Sequence, residues 1–235
     1  MLTKLILFSG FAGITVFIGG ILGNTFHHHM KESPVKKDVS HTLMSFGAGI
    51  ILSALALVLI PKGMEELKLV PLVFSFAVGA VVFMLIDQYL DKKGGKTATL
   101  LAMMMDFVPE SIALGAVFAI DPQTATLLAV FIGLQNLPEA FNSYRDLSLS
   151  GFSIKKTLLI LFGLSFAGIV AALVGHFFFS NYPDVTAHLM IFSSGGILYL
   201  LIRDIIPESK LDNSYLASLG ACLGFLVGVI GEKLI

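Results

Sequence analysis

Eight apolar runs, each about as long as a bilayer-crossing helix, follow one another along this chain with only short connections. They cover roughly Leu5–Leu22, Thr42–Ile60, Val70–Leu90, Thr97–Ile120, Thr124–Phe141, Thr157–Phe179, Ala187–Ile206 and Tyr215–Ile230. The hydrocarbon core of a bilayer takes about 20 apolar residues of helix, and within it only helices and closed barrels satisfy every backbone polar group. No connection is long enough for a soluble domain. The sequence therefore predicts one transmembrane domain over residues 1–235, an all-α integral membrane protein with eight transmembrane helices. With 13% charged residues, the chain carries about half the share of a soluble domain, which is about 25%. A net charge of −1 offers no footprint for nucleic acid, and the single cysteine, Cys222, excludes an intramolecular disulfide and a multi-cysteine zinc site. The first run opens after Lys4 as a signal peptide would, but no small-residue cleavage site follows, so it reads as helix one.

The stretch Met105 to Ala140 breaks the apolar pattern with carboxylates. Asp106 and Glu110 lie in MMMDFVPESIALG, and Gln135, Asn136 and Glu139 lie in GLQNLPEAF. A carboxylate at membrane depth costs at least about 2.5–3.5 kcal/mol unless it is paired, hydrated or bound to a cation. Residues four apart share a helix face, so Asp106 projects with Glu110, and Gln135 with Glu139. Packed face to face, two such helices bring four oxygen ligands to one point. Pro109 and Pro138 each precede a glutamate and lack the N–H that would bond the carbonyl four residues back. They predict broken helices, with the carbonyls of Met105 and Leu134 as two further ligands. The plainer alternative is a pair of kinked helices whose glutamates pair with other groups.

Lysine and arginine set the expected orientation. The N-terminus, the even-numbered loops and the C-terminus hold Lys4, Lys62, Lys68 and Lys233; the other eleven of fifteen, among them Lys31, Lys36, Lys37, Lys92, Lys93, Lys96, Arg145, Lys155 and Lys156, fall in odd-numbered loops or at the inner end of helix seven. By the positive-inside rule the odd loops are cytoplasmic and both termini extracytoplasmic. Aligned from Phe46 and Phe192, FGAGIILSALALVLIP and FSSGGILYLLIRDIIP share Phe, one Gly, Ile, Leu, Ile and Pro, and Val108-Pro109-Glu110 repeats as Leu137-Pro138-Glu139. The members of each pair run in opposite directions, so the repeats are inverted, as in secondary transporters whose site lies near the midplane. At about 1.5 Å per residue, Asp106 lies about 14 Å from the inner end of its helix and Gln135 about 16 Å from the outer end of its own.

Other polar residues admit plainer readings. His27, His28 and His29 read as a run in the first cytoplasmic loop, either metal-collecting or simply solvated. His176 reads as a histidine at the lipid interface, and Glu65 and Glu66 as a solvated outer loop. Asp87 and the Arg203, Asp204, Glu208 group read as gate or structural charges near inner helix ends. Met103, Met104 and Met105 read as lipid-facing packing. Glycines at Gly10, Gly13, Gly19 and Gly20, and at Gly220, Gly224 and Gly228, read as close helix approach within one subunit, with a homodimer face as the alternative. An intramembrane hydrolase finds no HExxH, GxSxG or paired-aspartate motif, so no enzyme activity is expected.

Read as motifs, DFVPES (residues 106–111) and QNLPEA (135–140) resemble the HNxPEG and (H/Q)(N/D)xPEG patterns of the ZIP (zinc–iron permease) family, and the likeness extends over essentially the whole chain. The resemblance implies eight spans in a 3+2+3 arrangement and transport of a divalent metal cation across the plasma membrane into the cytoplasm, through a site between spans four and five. It sets Asp106 where a histidine usually ligates, matches Glu110, Gln135 and Glu139 to ligand positions, and sets Asn136 at a second-metal position. The chain departs from the family pattern at Phe107, where an asparagine is usual, in a span six without an acid, and in a loop reduced to DKKGGK. These departures predict one metal ion rather than two. An all-oxygen donor set is harder than one containing imidazole and favours Mn²⁺, Mg²⁺ or Ca²⁺ more than an imidazole site does, while still admitting Zn²⁺ and Fe²⁺; Cd²⁺ completes the expected substrates. No organic cofactor is expected, and the partners expected are the cation and the lipid bilayer. The competing expectation is a metal-binding or regulatory homologue that does not transport.

Overall fold

The structure is a computed structural model that describes residues 2–94, 101, 104–209 and 215–234. The chain forms eight helices among these residues and no strand. They are α1 (Leu2–His29), α2 (Pro34–Ala54, continuing through Leu55–Leu59 to Ile60–Glu66), α3 (Leu69–Lys93), α4 (Phe107–Ile120), α5 (Pro122–Leu149), α6 (Ile154–Phe179), α7 (Pro183–Leu200, continuing through Leu201–Ile205 to Ile206–Ser209) and α8 (Leu216–Leu234). Proline in the first turn of α2, α5 and α7 supplies a φ already suited to a helix start and costs no hydrogen bond there. Ser33 caps α2 by accepting from the Lys36 N–H, and Asp121 caps α5 by accepting from the Thr124 N–H.

Six helices, α1, α2, α3, α6, α7 and α8, are long and apolar enough to cross a membrane. The protein is an all-helical membrane protein. Two of the eight expected spans lack that support. Helix α4 has 14 residues, about 21 Å against a hydrocarbon core of about 30 Å, and residues 97–100, 102 and 103 of its run lie outside the described residues, as does Lys96 before it. Helix α5 has 28 residues but ends in the polar sequence NSYRDL. Burial explains why α5 tolerates such a composition: Phe131, Leu128 and Ile132 are enclosed, as are Phe118 and Leu114 of α4, so both helices lie within the bundle.

The other helices pack around this hairpin in pairs. Helix α1 lies against α5 and α6, α4 against α6 and α5, α2 against α8 and α5, and α3 against α7. The repeat between α2 and α7 extends to their geometry. Aligned from Phe46 and Phe192, Leu55–Leu59 falls on Leu201–Ile205, and both are π-helical, with Ile60 N–H bonded to Leu55 O and Ile206 N–H to Leu201 O. The cause is the proline that follows each, Pro61 and Pro207. Its ring would strike the carbonyl four residues back, and one wider turn relieves the clash. The same alignment pairs Gly49 with Gly195. A Cβ on Gly49 would fall 2.0 Å from the Ala221 carbonyl oxygen of α8, and one on Gly195 would fall 2.1 Å from that of Phe76 on α3. In return, a Cβ on Gly224 of α8 would fall 2.0 Å from the Phe46 carbonyl oxygen, and one on Gly79 of α3 would fall 1.9 Å from that of Phe192. Thus α2–α8 and α3–α7 are built to one plan, and these glycines serve packing inside the chain, as do Gly13 and Gly19 of α1 against α6 and α5.

Several expectations change. His27, His28 and His29 form the last turn of α1 rather than a loop, with the His27 ring beside Phe141 and Tyr144. Glu65 and Glu66 end α2, and Glu65 pairs with Lys62. Lys36, expected in a loop, is buried in the first turn of α2 and pairs with Glu32 at 2.7 Å. Met105 is buried in the core instead of facing lipid. His176 lies in the last turn of α6, ring to ring with Phe177. Asp87 accepts from the Tyr199 hydroxyl at 2.8 Å, and Arg203 lies 3.9 Å from Asp87 and 3.5 Å from Asp91, so this cluster links α3 to α7. The Glu208 side chain lies outside the described residues.

Overpacking a close-packed contact costs about 1–3 kcal/mol or more. Gly79→Leu should lower the thermal stability of the purified protein markedly by separating α3 from α7. Gly163→Ala, where a Cβ would meet nothing within 4 Å, should leave the melting temperature nearly unchanged in the same assay.

Candidate functional site

Helices α4 and α5 bring together the residues singled out by sequence. Glu110 and Gln135 are each 1% exposed, Asp106 is 8% exposed, and Glu139 is partly buried. Gln135 Nε2 donates to Glu110 Oε2 at 2.5 Å, bridging the two helices. The carboxyl group of Asp106, at the start of α4, lies close enough to that of Glu139 on α5 for the two to interact. One oxygen on each of three side chains, Glu110 Oε1, Gln135 Oε1 and Glu139 Oε1, is buried without a partner. Unpaired oxygens of this kind carry the full cost of lost hydration, and carboxylates this close repel unless a proton or cation lies between them.

The two helices differ from each other: span four turns just before Phe107, after a helical Leu101, whereas span five is unbroken. Residues 104–106 form a turn, and α4 begins at Phe107 with Asp106 as its N-cap, its carboxylate accepting from the Phe107 N–H at 2.7 Å. Asp106 therefore precedes the helix that carries Glu110. Pro109 falls within the first turn, where a missing N–H is tolerated, and Pro138 lies inside an uninterrupted α5. The Pro138 ring fits because α2 presents Gly47, where a Cβ would be 2.8 Å from Pro138 Cγ. The space beside the Phe107 ring is made the same way by Gly168 of α6, whose Cβ would be 2.4 Å from Phe107 Cζ.

Asn136 also has a partner on a third helix. Its Nδ2 donates to the Ala12 carbonyl of α1 at 2.8 Å, which fastens α5 to α1. Asn136 and Glu139 also line a cavity of about 30 Å³ together with Phe107, Ser143, Val16 and Leu164. That volume exceeds the roughly 10–15 Å³ that one water needs. Ser143 is the residue sequence reasoning passed over. Its spacing of four from Glu139 was the available signal, hidden because serine in an apolar helix reads as a small packing residue. Among the described residues, no group of three or more His, Cys, Asp or Glu side chains is drawn together as a ready metal cage. The donors present are carboxylates with one amide oxygen, and they converge without closing.

At the turn joining the two site helices, Asp121 accepts from the Thr124 hydroxyl at 2.6 Å and from Lys62 of α2 at 3.1 Å. Burial alone would raise the Asp121 carboxyl, but the Thr124 hydrogen bonds and the Lys62 ammonium together hold it below the usual carboxylate range. The end of α2 is thereby tied to the α4–α5 hairpin.

No protein-family model matches the chain, and no curated protein is significantly similar to it.

Asn136→Asp would remove the donor and set a carboxylate oxygen against the Ala12 carbonyl oxygen. Interhelical hydrogen bonds in membrane proteins are worth about 0.6–2 kcal/mol. The substitution should lower the melting temperature, and Asn136→Gln should not restore it, because the longer side chain cannot keep the 2.8 Å contact. Thermal unfolding in detergent measures both.

Proposed function

We propose that the protein carries a divalent metal cation across the membrane into the cytoplasm, and that Asp106, Glu110, Gln135 and Glu139 hold the ion in transit. One observation carries this reading: three buried, unpartnered oxygens, Glu110 Oε1, Gln135 Oε1 and Glu139 Oε1, lie on the facing sides of α4 and α5. A divalent ion is the ligand that would offset their lost hydration and the mutual repulsion of the carboxylates at one stroke. Asp106 would leave its cap on Phe107 to complete the set. Hard, all-oxygen donors suit Mn²⁺ and admit Zn²⁺, Fe²⁺ and Cd²⁺.

The likeness of DFVPES and QNLPEA to the ZIP motifs supports the same reading. So does the matched construction of α2–α8 and α3–α7, which fits eight spans in a 3+2+3 inverted repeat with α4 and α5 at the centre. The lysine and arginine bias places both termini outside the cytoplasm, in a plasma-membrane protein. Asn136 serves as a helix fastener in this reading, and the Phe107 ring occupies the space in which a second ion would sit.

Glu110→Ala and Glu139→Ala should each abolish high-affinity metal binding, read calorimetrically on the purified, folded protein. Wild-type protein in sealed vesicles should accumulate Mn²⁺ or Zn²⁺. Binding without flux would favour a sensor or regulator, and unchanged binding in both variants would remove the site altogether.

The stoichiometry follows as a separate expectation. Anomalous scattering from crystals grown with Mn²⁺ should reveal one ion per chain between α4 and α5, and two ions there would contradict the role given to Phe107.

A further inference from the structure

A second concavity lies away from the carboxylates, where the start of α1 meets the α4–α5 turn. It is a groove of about 860 Å³, within the range of about 300–1,000 Å³ typical of small-molecule sites. Its floor is rigid and apolar. The Phe8 and Phe118 rings pack with centroids 6.0 Å apart, and Phe11 sits in a notch that Gly133 leaves, where a Cβ would be 2.6 Å from the ring. Leu7 forms an exposed wall. The Thr126 hydroxyl donates to the Pro122 carbonyl of its own helix at 2.7 Å, so that wall offers a ligand no hydroxyl hydrogen.

One charge stands at this groove. Lys4 lies on its rim and is the only charged side chain among the described residues of its lining. The ion pairs among the described residues engage Lys36, Lys62 and Arg203, not Lys4. The nearby carboxylate of Asp121, beside Pro122, is matched by Lys62 at 3.1 Å and does not cancel the Lys4 charge. From Lys4 to Phe11 the groove follows α1 for about 10 Å, away from the helix start and into the apolar bundle.

We infer that this groove binds an anionic phospholipid, with an acyl chain along Leu7 and Phe11 and the phosphate at Lys4. An apolar trough with a single cation at its polar end is complementary to a molecule that joins a hydrocarbon chain to a negative headgroup. The bound chain touches α1, α4 and α5 at once and so braces the central hairpin against α1. The inference does not depend on the metal site.

The chain contains no tryptophan, so Leu7→Trp creates its sole tryptophan, a reporter selectively excited apart from the tyrosines, at an exposed groove position. Reconstituted in phosphatidylcholine vesicles, its quenching by phosphatidylglycerol with brominated acyl chains should exceed that by brominated phosphatidylcholine about fivefold in relative association constant, as one basic residue at an anionic headgroup gives. Adding Lys4→Gln should bring the ratio to about one. A reporter at Val73→Trp, on the exposed face of α3, should show no preference in either background. Equal quenching by both lipids at Leu7→Trp, or a preference that survives Lys4→Gln, would overturn the inference. Native mass spectrometry of the unsubstituted protein gives a check free of substitutions. One retained phosphatidylglycerol supports the site, and none retained from mixed vesicles refutes it.

Discussion

The interior of this bundle is organised by the cost of keeping carboxyl groups out of water. Glu110 is essentially without solvent, and its one side-chain partner on the facing helix is the Gln135 amide. That bond fixes how α4 faces α5, and the carboxyl groups of Asp106 and Glu139 lie close together at the same pairing. Polar bridges in a low-dielectric surround hold geometry well but leave severe penalties wherever a lone pair goes unused. The three unpartnered oxygens are those unused lone pairs, and they are what the cation we propose would satisfy.

The surrounding helices determine how close α4 and α5 can come. Pro138 advances toward α2 only because position 47 is glycine, and Phe107 reaches α6 only because position 168 is glycine. Helix α1 is held to α5 by the Asn136–Ala12 hydrogen bond. The hairpin is therefore clasped on three sides by contacts of different kinds, and its turn is tied to α2 through Lys62 and Asp121.

Much of this was legible in the residues, because long apolar runs and acids at a spacing of four are strong signals. The α2/α7 repeat, visible as a few shared letters from Phe46 and Phe192, proved to be a shared π-helical turn before each proline. The helix starts were harder to read. Spacing alone cannot distinguish an aspartate inside a helix from one that caps it, and Asp106 turned out to cap. Nor could sequence foresee that Pro138 would leave α5 intact, since that depends on a glycine on a helix distant in the chain. The hydrogen bond of Asn136 to Ala12 was not legible either, because an amide both donates and accepts, and which it does depends on the carbonyl that faces it.

The reciprocal approaches of Gly49 and Gly224, and of Gly79 and Gly195, join backbone to backbone and contain no ionisable atom. These parts of the frame hold α2 to α8 and α3 to α7 by van der Waals fit and weak Cα–H···O contacts, forces indifferent to salt and acidity. Groups that respond to solution conditions are set elsewhere: at the carboxylates between α4 and α5, at Lys62 with Asp121, and where Arg203 meets Asp87 and Asp91. The molecule thus separates a chemically inert scaffold from the few points at which its surroundings can act on it.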